Sequence, residues 1–301
     1  MPPLSGGFLL ASRAFLSTCT VSTGYIQLKA TAFMSLPTRF EVNGERFYRT
    51  DMPDKAYPSV TSILGKTSSA HSKKVLSNWQ KNNPGGLEKA AARGTAVHGA
   101  CENYIRGLPV DLPDEYLPYW NGLSKHLDKF DHFLWSEKPL KNEWDHCVGS
   151  DGISRVWSHK YGFCGCPDLV GVRNNVVILA DFKTSSSPYC RYFPKENNRQ
   201  NFTGWSKLNK CGLQLAAYSL AIEETLGIHI DCAQILVSTP EIDQSFLLHG
   251  DELDRFHVRW LQRVRQYQEL KEKGEPEEPP KKQRKSGPSP RSAKKSLSKK
   301  S

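Results

Sequence analysis

Between Cys164 and Thr184 the chain reads Cys-Gly-Cys-Pro-Asp-Leu-Val-Gly-Val-Arg-Asn-Asn-Val-Val-Ile-Leu-Ala-Asp-Phe-Lys-Thr. Two apolar, β-branched runs flank Arg173-Asn174-Asn175, the pattern of a β-hairpin. Asparagine tolerates positive φ, so Asn174-Asn175 can fill both central positions of a primed two-residue turn. That turn fixes the register: paired residues have numbers summing to 349, which sets Asp168 opposite Asp181. Side chains alternate along a strand, so Lys183 shares their face. Two facing carboxylates repel each other. A divalent cation between them removes that cost. Hard carboxylate oxygens, with the Phe182 carbonyl beside them, suit Mg²⁺ or Mn²⁺.

The chain around this hairpin is long enough for one large domain, and no apolar run approaches the ~20 residues of a membrane helix. The net charge is +10, but it sits at the ends. Nine Lys or Arg lie beyond Pro280 and three before Glu41, with no acid in either stretch, which leaves −2 for the body. Whole-chain charge therefore does not argue for a nucleic-acid partner; local patches must. The eight cysteines form no Cys-x-x-Cys pair, so they read as small hydrophobes in a reducing compartment rather than as zinc ligands or disulfides.

Residues 1–36 hold no Asp or Glu, several Ser and Thr, and Arg13 in an apolar setting. This is the composition of an organellar transit peptide, which gives a mitochondrial expectation. A disordered tail or a start at Met34 are the alternatives. Residues 37–275 read as the folded domain and 276–301 as a basic disordered tail. Lys281-Lys282-Gln283-Arg284-Lys285 in that tail also has the form of a nuclear localisation run, or of a DNA-binding tail.

Inside the domain, Phe40 to Tyr48 reads as a hairpin around Asn43-Gly44, and Ser59 as the cap of a short helix. Ser72 to Lys81 and Leu87 to Arg106 read as helices, the second placing His98 and Glu102 four apart on one face. Residues 114–136 read as one aromatic-rich amphipathic helix. Glu143 to Val148 and Ser154 to Phe163 read as strands. Ser185 to Lys210 reads as a long irregular segment in which Arg191, Lys195, Arg199, Lys207 and Lys210 interleave with Tyr189, Tyr192, Phe193, Phe202 and Trp205. Cations for phosphates and rings for bases suit single-stranded nucleic acid. A helix from Asn209 to Leu226 sets Gln214 and Tyr218 on one face. Strands at Cys232 to Ser238 and Gln244 to His249 follow, then a helix from Asp251 to Lys273 with acids first and lysines last, as the helix dipole prefers.

Pro167-Asp168 followed by Asp181-Phe182-Lys183 resembles the signature of the PD-(D/E)XK nuclease superfamily. Arg93-Gly94-Thr95-Ala96-Val97-His98 and Gln214-Leu215-Ala216-Ala217-Tyr218 resemble the first and third motifs of its RecB-like branch. Pro58-Ser59-Val60-Thr61 and the helix around Trp79 extend the likeness to the mitochondrial exonucleases of that branch. The resemblance covers roughly Tyr57 to Tyr267. It implies an α/β restriction-endonuclease-like core (αβββαβ), a mixed sheet flanked by helices. It implies a Mg²⁺- or Mn²⁺-dependent deoxyribonuclease, with His98, Asp168, Asp181 and the Phe182 carbonyl as metal ligands and Asp168, Asp181 and Lys183 as the catalytic set. Glu102 would support the site, and Gln214, Tyr218, Arg191, Lys195 and Arg199 would contact DNA. The expected activity is exonucleolytic, on single-stranded DNA ends in maintenance or repair. A nuclear site- or structure-specific endonuclease, or a non-catalytic DNA-binding module of the same fold, is the alternative. Some relatives hold an iron–sulfur cluster through three cysteines after the third motif; only Cys232 follows Tyr218 here, so no cluster is expected.

Overall fold

Two turns with positive φ, Asn43-Gly44 and Asn174-Asn175, shape the computed structural model, which describes residues 38–274 apart from 53, 141 and 195–198. The acid-free N-terminal segment and the basic tail lie outside the described residues. The first turn joins β1 (Arg39–Val42) to β2 (Glu45–Arg49), and β3 (Ala56–Pro58) completes a small antiparallel sheet. Ser59 then caps α1 (Val60–Lys66), its side chain accepting the Ser62 N–H at 3.0 Å. Next come α2 (Ala70–Asn82), capped by Ser69 and without a buried residue, and α3 (Gly86–Ile105), which carries His98.

After α3 the chain departs from expectation. The stretch 114–136 is not one helix. A short 3₁₀ turn leads into α4 (Leu117–Leu127), and β4 (His132–Ser136) follows. Residues 142–147 form a 3₁₀ segment instead of a strand. Ser154 to Phe163 splits into β5 (Val156–Ser158) and β6 (Phe163–Gly165), which pair with each other, and Cys164 of β6 also bridges to Ser59. The central hairpin is β7 (Leu169–Arg173) and β8 (Val176–Thr184). It forms in the register the asparagine turn dictates, from Arg173↔Val176 to Leu169↔Ala180, with φ of 52° and 62° at Asn174 and Asn175. A 28-residue helix, α5 (Arg199–Leu226), crosses to β9 (Cys232–Ser238), and β10 (Asp243–His249) and α6 (Asp251–Glu272) complete the chain.

The five-stranded sheet runs β10-β9-β8-β7-β4; β8 and β9 are parallel and the other neighbours antiparallel. The architecture is thus α/β, a mixed sheet flanked by helices. The alternation of β8 sorts the core into two. Ile178, Ala180 and Phe182 pack with Val97 and Cys101 of α3 and Leu123 and Leu127 of α4. Leu179, on the other face, packs with Leu215 and Ala216 of α5 and Trp260 of α6. Asp181 and Lys183 have the parity of Leu179, so both belong to the α5 side.

The small N-terminal sheet is held to this body by a buried acid. Glu45, 3% exposed, accepts from Tyr267 Oη at 2.6 Å and from Lys271 Nζ at 2.8 Å, with Lys66 Nζ at 3.2 Å. Burial by itself would raise the Glu45 carboxyl. The hydrogen bonds from Lys271, Tyr267 and Lys66 outweigh that and hold it below the ordinary value of 4.5. A depressed carboxylate contributes stability that is present above its unfolded pKa and lost as pH falls through the folded one. Glu45→Gln should therefore cost roughly 1–3 kcal/mol at pH 7, with the deficit shrinking below about pH 4.5 as the wild type itself loses the contribution. Urea denaturation at a series of pH values measures both; parallel stability curves for the two proteins would refute the assignment.

Candidate active site

The ladder between β7 and β8 ends at Leu169↔Ala180, one pair short of the two acids. Beyond that point β8 continues by pairing with β9, where Asp181 lies beside Ile235. Asp168 does not face Asp181 as a ladder partner. It turns its carboxylate to the β8 backbone instead, and Oδ2 accepts the Phe182 N–H at 2.8 Å. The sequence expectation is corrected in geometry only, because the two carboxylates still act on each other: Asp168 helps to raise the Asp181 carboxyl.

Asp181 is 1% exposed. Among the described residues no backbone N–H or hydroxyl satisfies either of its oxygens, and the Lys183 ammonium, 2.6 Å from Oδ2, balances its charge. Burial is the largest influence and pushes the Asp181 carboxyl up; Lys183 pulls it back. Burial alone would depress the Lys183 ammonium, but Asp181, Cys211 and Asp168 outweigh it and hold the lysine firmly protonated.

His98 reaches this point from α3. Its Nε2 lies 2.8 Å from the Phe182 carbonyl oxygen. A carbonyl only accepts, so Nε2 carries the proton. Nδ1 is then left 3.6 Å from Asp168 Oδ1. Two of the expected ligands, the imidazole and the Phe182 carbonyl, thus bond to each other. Among the described residues no three His, Cys, Asp or Glu side chains converge as a ready ion-binding group. The donor chemistry nevertheless fits a hard divalent cation: two carboxylates, an imidazole and a carbonyl, with both oxygens of a buried carboxylate lacking hydrogen bonds. The His98–Phe182 bond can persist in an ion-bound state: it fixes the ring and leaves the Nδ1 lone pair on the Asp168 side, and the carbonyl keeps a second lone pair.

Glu102, one turn after His98, faces β4. Its Oε1 accepts from Ser136 Oγ at 3.0 Å and from the Lys138 N–H at 3.2 Å. Its role is to clamp the end of β4 to α3, which sets the place of the next carboxylate along the chain, Glu137. The sequence reading did not single out Glu137. Burial raises its carboxyl, Asp168 raises it further, and His98 opposes them. It is the third acid of this cleft. The usable signal was the Phe133-Trp135 alternation of a strand next to β7, which the helical reading of 114–136 concealed.

From the opposite side α5 supplies Gln214 and Tyr218. Gln214 Nε2 donates to Tyr218 Oη at 3.1 Å. Burial, with Cys166, Asp168 and Asp181 nearby, pushes the phenol well above its ordinary value. The ring lies directly on Gly165, where an added Cβ would meet Tyr218 Cε1 at 2.2 Å. Glycine at 165 is therefore what lets α5 come down on the site.

The segment after Thr184 is only partly irregular, because α5 begins at Arg199 and not at Asn209. Gly204 allows this early start: a Cβ there would meet the Pro188 carbonyl oxygen at 2.7 Å, so the helix passes closely under the loop. The aromatics pack on one another, Phe193 against Trp205 at 5.0 Å and against Phe202 at 5.9 Å. Arg191 already has partners within the fold: its guanidinium pairs with Glu252 and donates to the Leu247 carbonyl at 3.0 Å. Arg199 is the first residue of α5, and Lys195 lies outside the described residues.

No protein-family model matches this chain, and no curated protein matches it. One similar solved structure, described as "Crystal structure of SSO0001", shares 12% identity at a TM-score of 0.24, over 52% of this chain and 61% of that one. A likeness of that size carries no argument about fold or function.

Gly165→Ala should lower stability by roughly 1–3 kcal/mol through overpacking. The loss should largely vanish in a Tyr218→Ala background, where the ring is gone. Chemical denaturation of the single and double variants checks this; an equal loss in both backgrounds would place the strain elsewhere.

Proposed function

We propose that the chain is a divalent-metal-dependent deoxyribonuclease of the PD-(D/E)XK superfamily, RecB-like branch, similar to the mitochondrial genome maintenance exonucleases. The observation that carries this reading is the buried Asp181 carboxylate, without a hydrogen bond, set between Asp168 and the Lys183 ammonium. The connectivity supports it: α3, then the neighbouring strands β4, β7 and β8, then α5 and the parallel strand β9 follow the αβββαβ order, with α4 inserted after α3. Phosphodiester hydrolysis at single-stranded DNA ends is the reaction the resemblance assigns. The mitochondrion is the location that the acid-free first 36 residues assign.

Asp168, Asp181, His98 and the Phe182 carbonyl are the groups that would hold the ion. A divalent cation supplies Lewis acidity toward a phosphoryl oxygen and makes water a competent nucleophile near neutral pH. The chain's own residues do the rest. Lys183 is pinned by Asp181 and presents a fixed positive charge to the extra negative charge of the pentavalent phosphate. Gln214 holds the Tyr218 hydroxyl, and the two together wall the cleft on the α5 side. Glu102 fixes the end of β4, and with it Glu137, against α3.

The test is cleavage of end-labelled single strands, duplexes and flaps in Mg²⁺, Mn²⁺ or EDTA. Asp168→Asn should abolish cleavage and leave strand binding intact, because the carboxamide oxygen still accepts the Phe182 N–H. Asp181→Asn should abolish cleavage and also destabilise the fold, because it leaves the half-buried Lys183 ammonium unpaired. Lys183→Ala should lose about 10²-fold or more in turnover, while Lys183→Arg keeps part of it, since charge rather than proton transfer is the role. Near-wild-type cleavage by Asp168→Asn and Asp181→Asn, or cleavage that persists in EDTA, would refute the reading.

A further inference from the structure

Past Lys183 two more cations close on the end of β8, one from each flanking helix. Arg93 of α3 donates Nε to Thr184 Oγ1 at 3.2 Å and Nη1 to Tyr119 Oη at 3.3 Å, and its guanidinium lies 4.7 Å from the centre of the Tyr119 ring. Lys207 of α5 donates Nζ to Ser185 Oγ at 3.2 Å and lies 5.7 Å from the centre of the Tyr189 ring. Both side chains are half-buried. Hydroxyls and ring faces hold them in place, and neither meets a carboxylate among the described residues. They also oppose each other: burial depresses the Lys207 ammonium, and Arg93 depresses it further.

Other cations of the fold do meet acids: Arg191 pairs with Glu252, Arg155 with Asp151, and Lys66 and Lys271 share Glu45. Two like charges fixed near each other without an acid repel, and an anion between them reverses the sign of that interaction. Neither cation has exhausted its donors. Arginine has five N–H groups and uses two here; the lysine ammonium has three and uses one. Thr184 and Ser185 follow Lys183 directly in the chain.

We propose that Arg93 and Lys207 form a two-sided seat for one backbone phosphate of the bound strand, the phosphate next to the one being cleaved over Lys183. The inference rests on the nuclease reading and adds to it the point at which the strand is gripped. The seat is read through charge and not through bases, so it is indifferent to sequence. It holds the strand from both faces of the sheet at once, Arg93 from the α3 side and Lys207 from the α5 side. It takes over the electrostatic part that the sequence reading gave to Arg191.

A scan with neutral phosphates tests the proposal. Fluorescent oligothymidylates, each carrying a single methylphosphonate at a successive position, are bound to Asp168→Asn protein in EDTA and cut by wild type under single-turnover conditions. Product sizes locate the scissile bond. The methylphosphonate beside that bond should weaken binding about tenfold. In Asp168→Asn carrying Arg93→Gln and Lys207→Gln, the unmodified strand should bind about tenfold more weakly. The methylphosphonate should then have no further effect, and the slope of log affinity against log salt should fall by ~0.7, the value for one phosphate contact on a single strand. Arg93→Lys with Lys207→Arg keeps both charges and should keep the sensitivity, which guards against loss by misfolding. If wild type cuts the strands but the Gln variants remain as sensitive to that methylphosphonate as their parent, the phosphate seat is overturned and the nuclease reading stands. If wild type cuts none of the strands in Mg²⁺ or Mn²⁺, the nuclease reading falls and the seat falls with it.

Discussion

A carboxylate taken out of water without hydrogen bonds is the constraint on which this structure turns. Asp181 is held on β8 between β7 and β9, at the depth of the core. Burying an ionised carboxylate alone costs several kcal/mol, and an ammonium at 2.6 Å offsets only part of that. The hydrophobic residues on both faces of the same strand, Ile178, Ala180 and Phe182 on one and Leu179 on the other, fix the strand and with it the buried place of Asp181. A packed core thus holds a charged group in a position it would not choose. Such an arrangement is characteristic of functional sites, where stability is given up for a specific chemical environment.

The neighbouring elements are arranged around that point. Asp168 closes the β7–β8 ladder with its side chain and so stays within electrostatic reach of Asp181. From one face α3 brings His98 to the Phe182 carbonyl and, through Glu102, ties down the end of β4. On the other face α5 comes close because Gly165 has no side chain under the Tyr218 ring. The His98–Phe182 bond satisfies groups that would otherwise point into the cleft. It also fixes the imidazole so that Nδ1 faces Asp168.

Much of this was legible in the sequence where the local signal was strong. Asn174-Asn175 fixed the hairpin register, because the turn geometry admits few residues and a two-residue turn leaves one pairing of the flanking strands. Ser59 and the Asn43-Gly44 turn were legible for the same reason. What failed were boundaries that tertiary contacts decide. The last hairpin pair is lost because Asp168 turns its carboxylate to the Phe182 N–H while β8 runs on along β9, and nothing local in the chain marks that end of the ladder. The aromatic stretch 114–136 fits helix and strand alike, and the division at Leu127 comes from β4 pairing with β7 across a bulge between Phe133 and Trp135. With that boundary wrong, Glu137 could not be placed. The start of α5 was hidden by Gly204, which reads as a helix breaker until the Pro188 carbonyl is seen lying against it. Arg191 looked like a free cation because Glu252 is remote in sequence.

The central claim is that the Asp168–Asp181 pair is a cation site. Anomalous diffraction from crystals soaked in Mn²⁺, recorded near the manganese edge, tests it most directly. The account predicts a peak in contact with the Asp168 and Asp181 carboxylates, on the Nδ1 side of His98. No peak there at saturating Mn²⁺, with Asp181 still held only by Lys183, would contradict it.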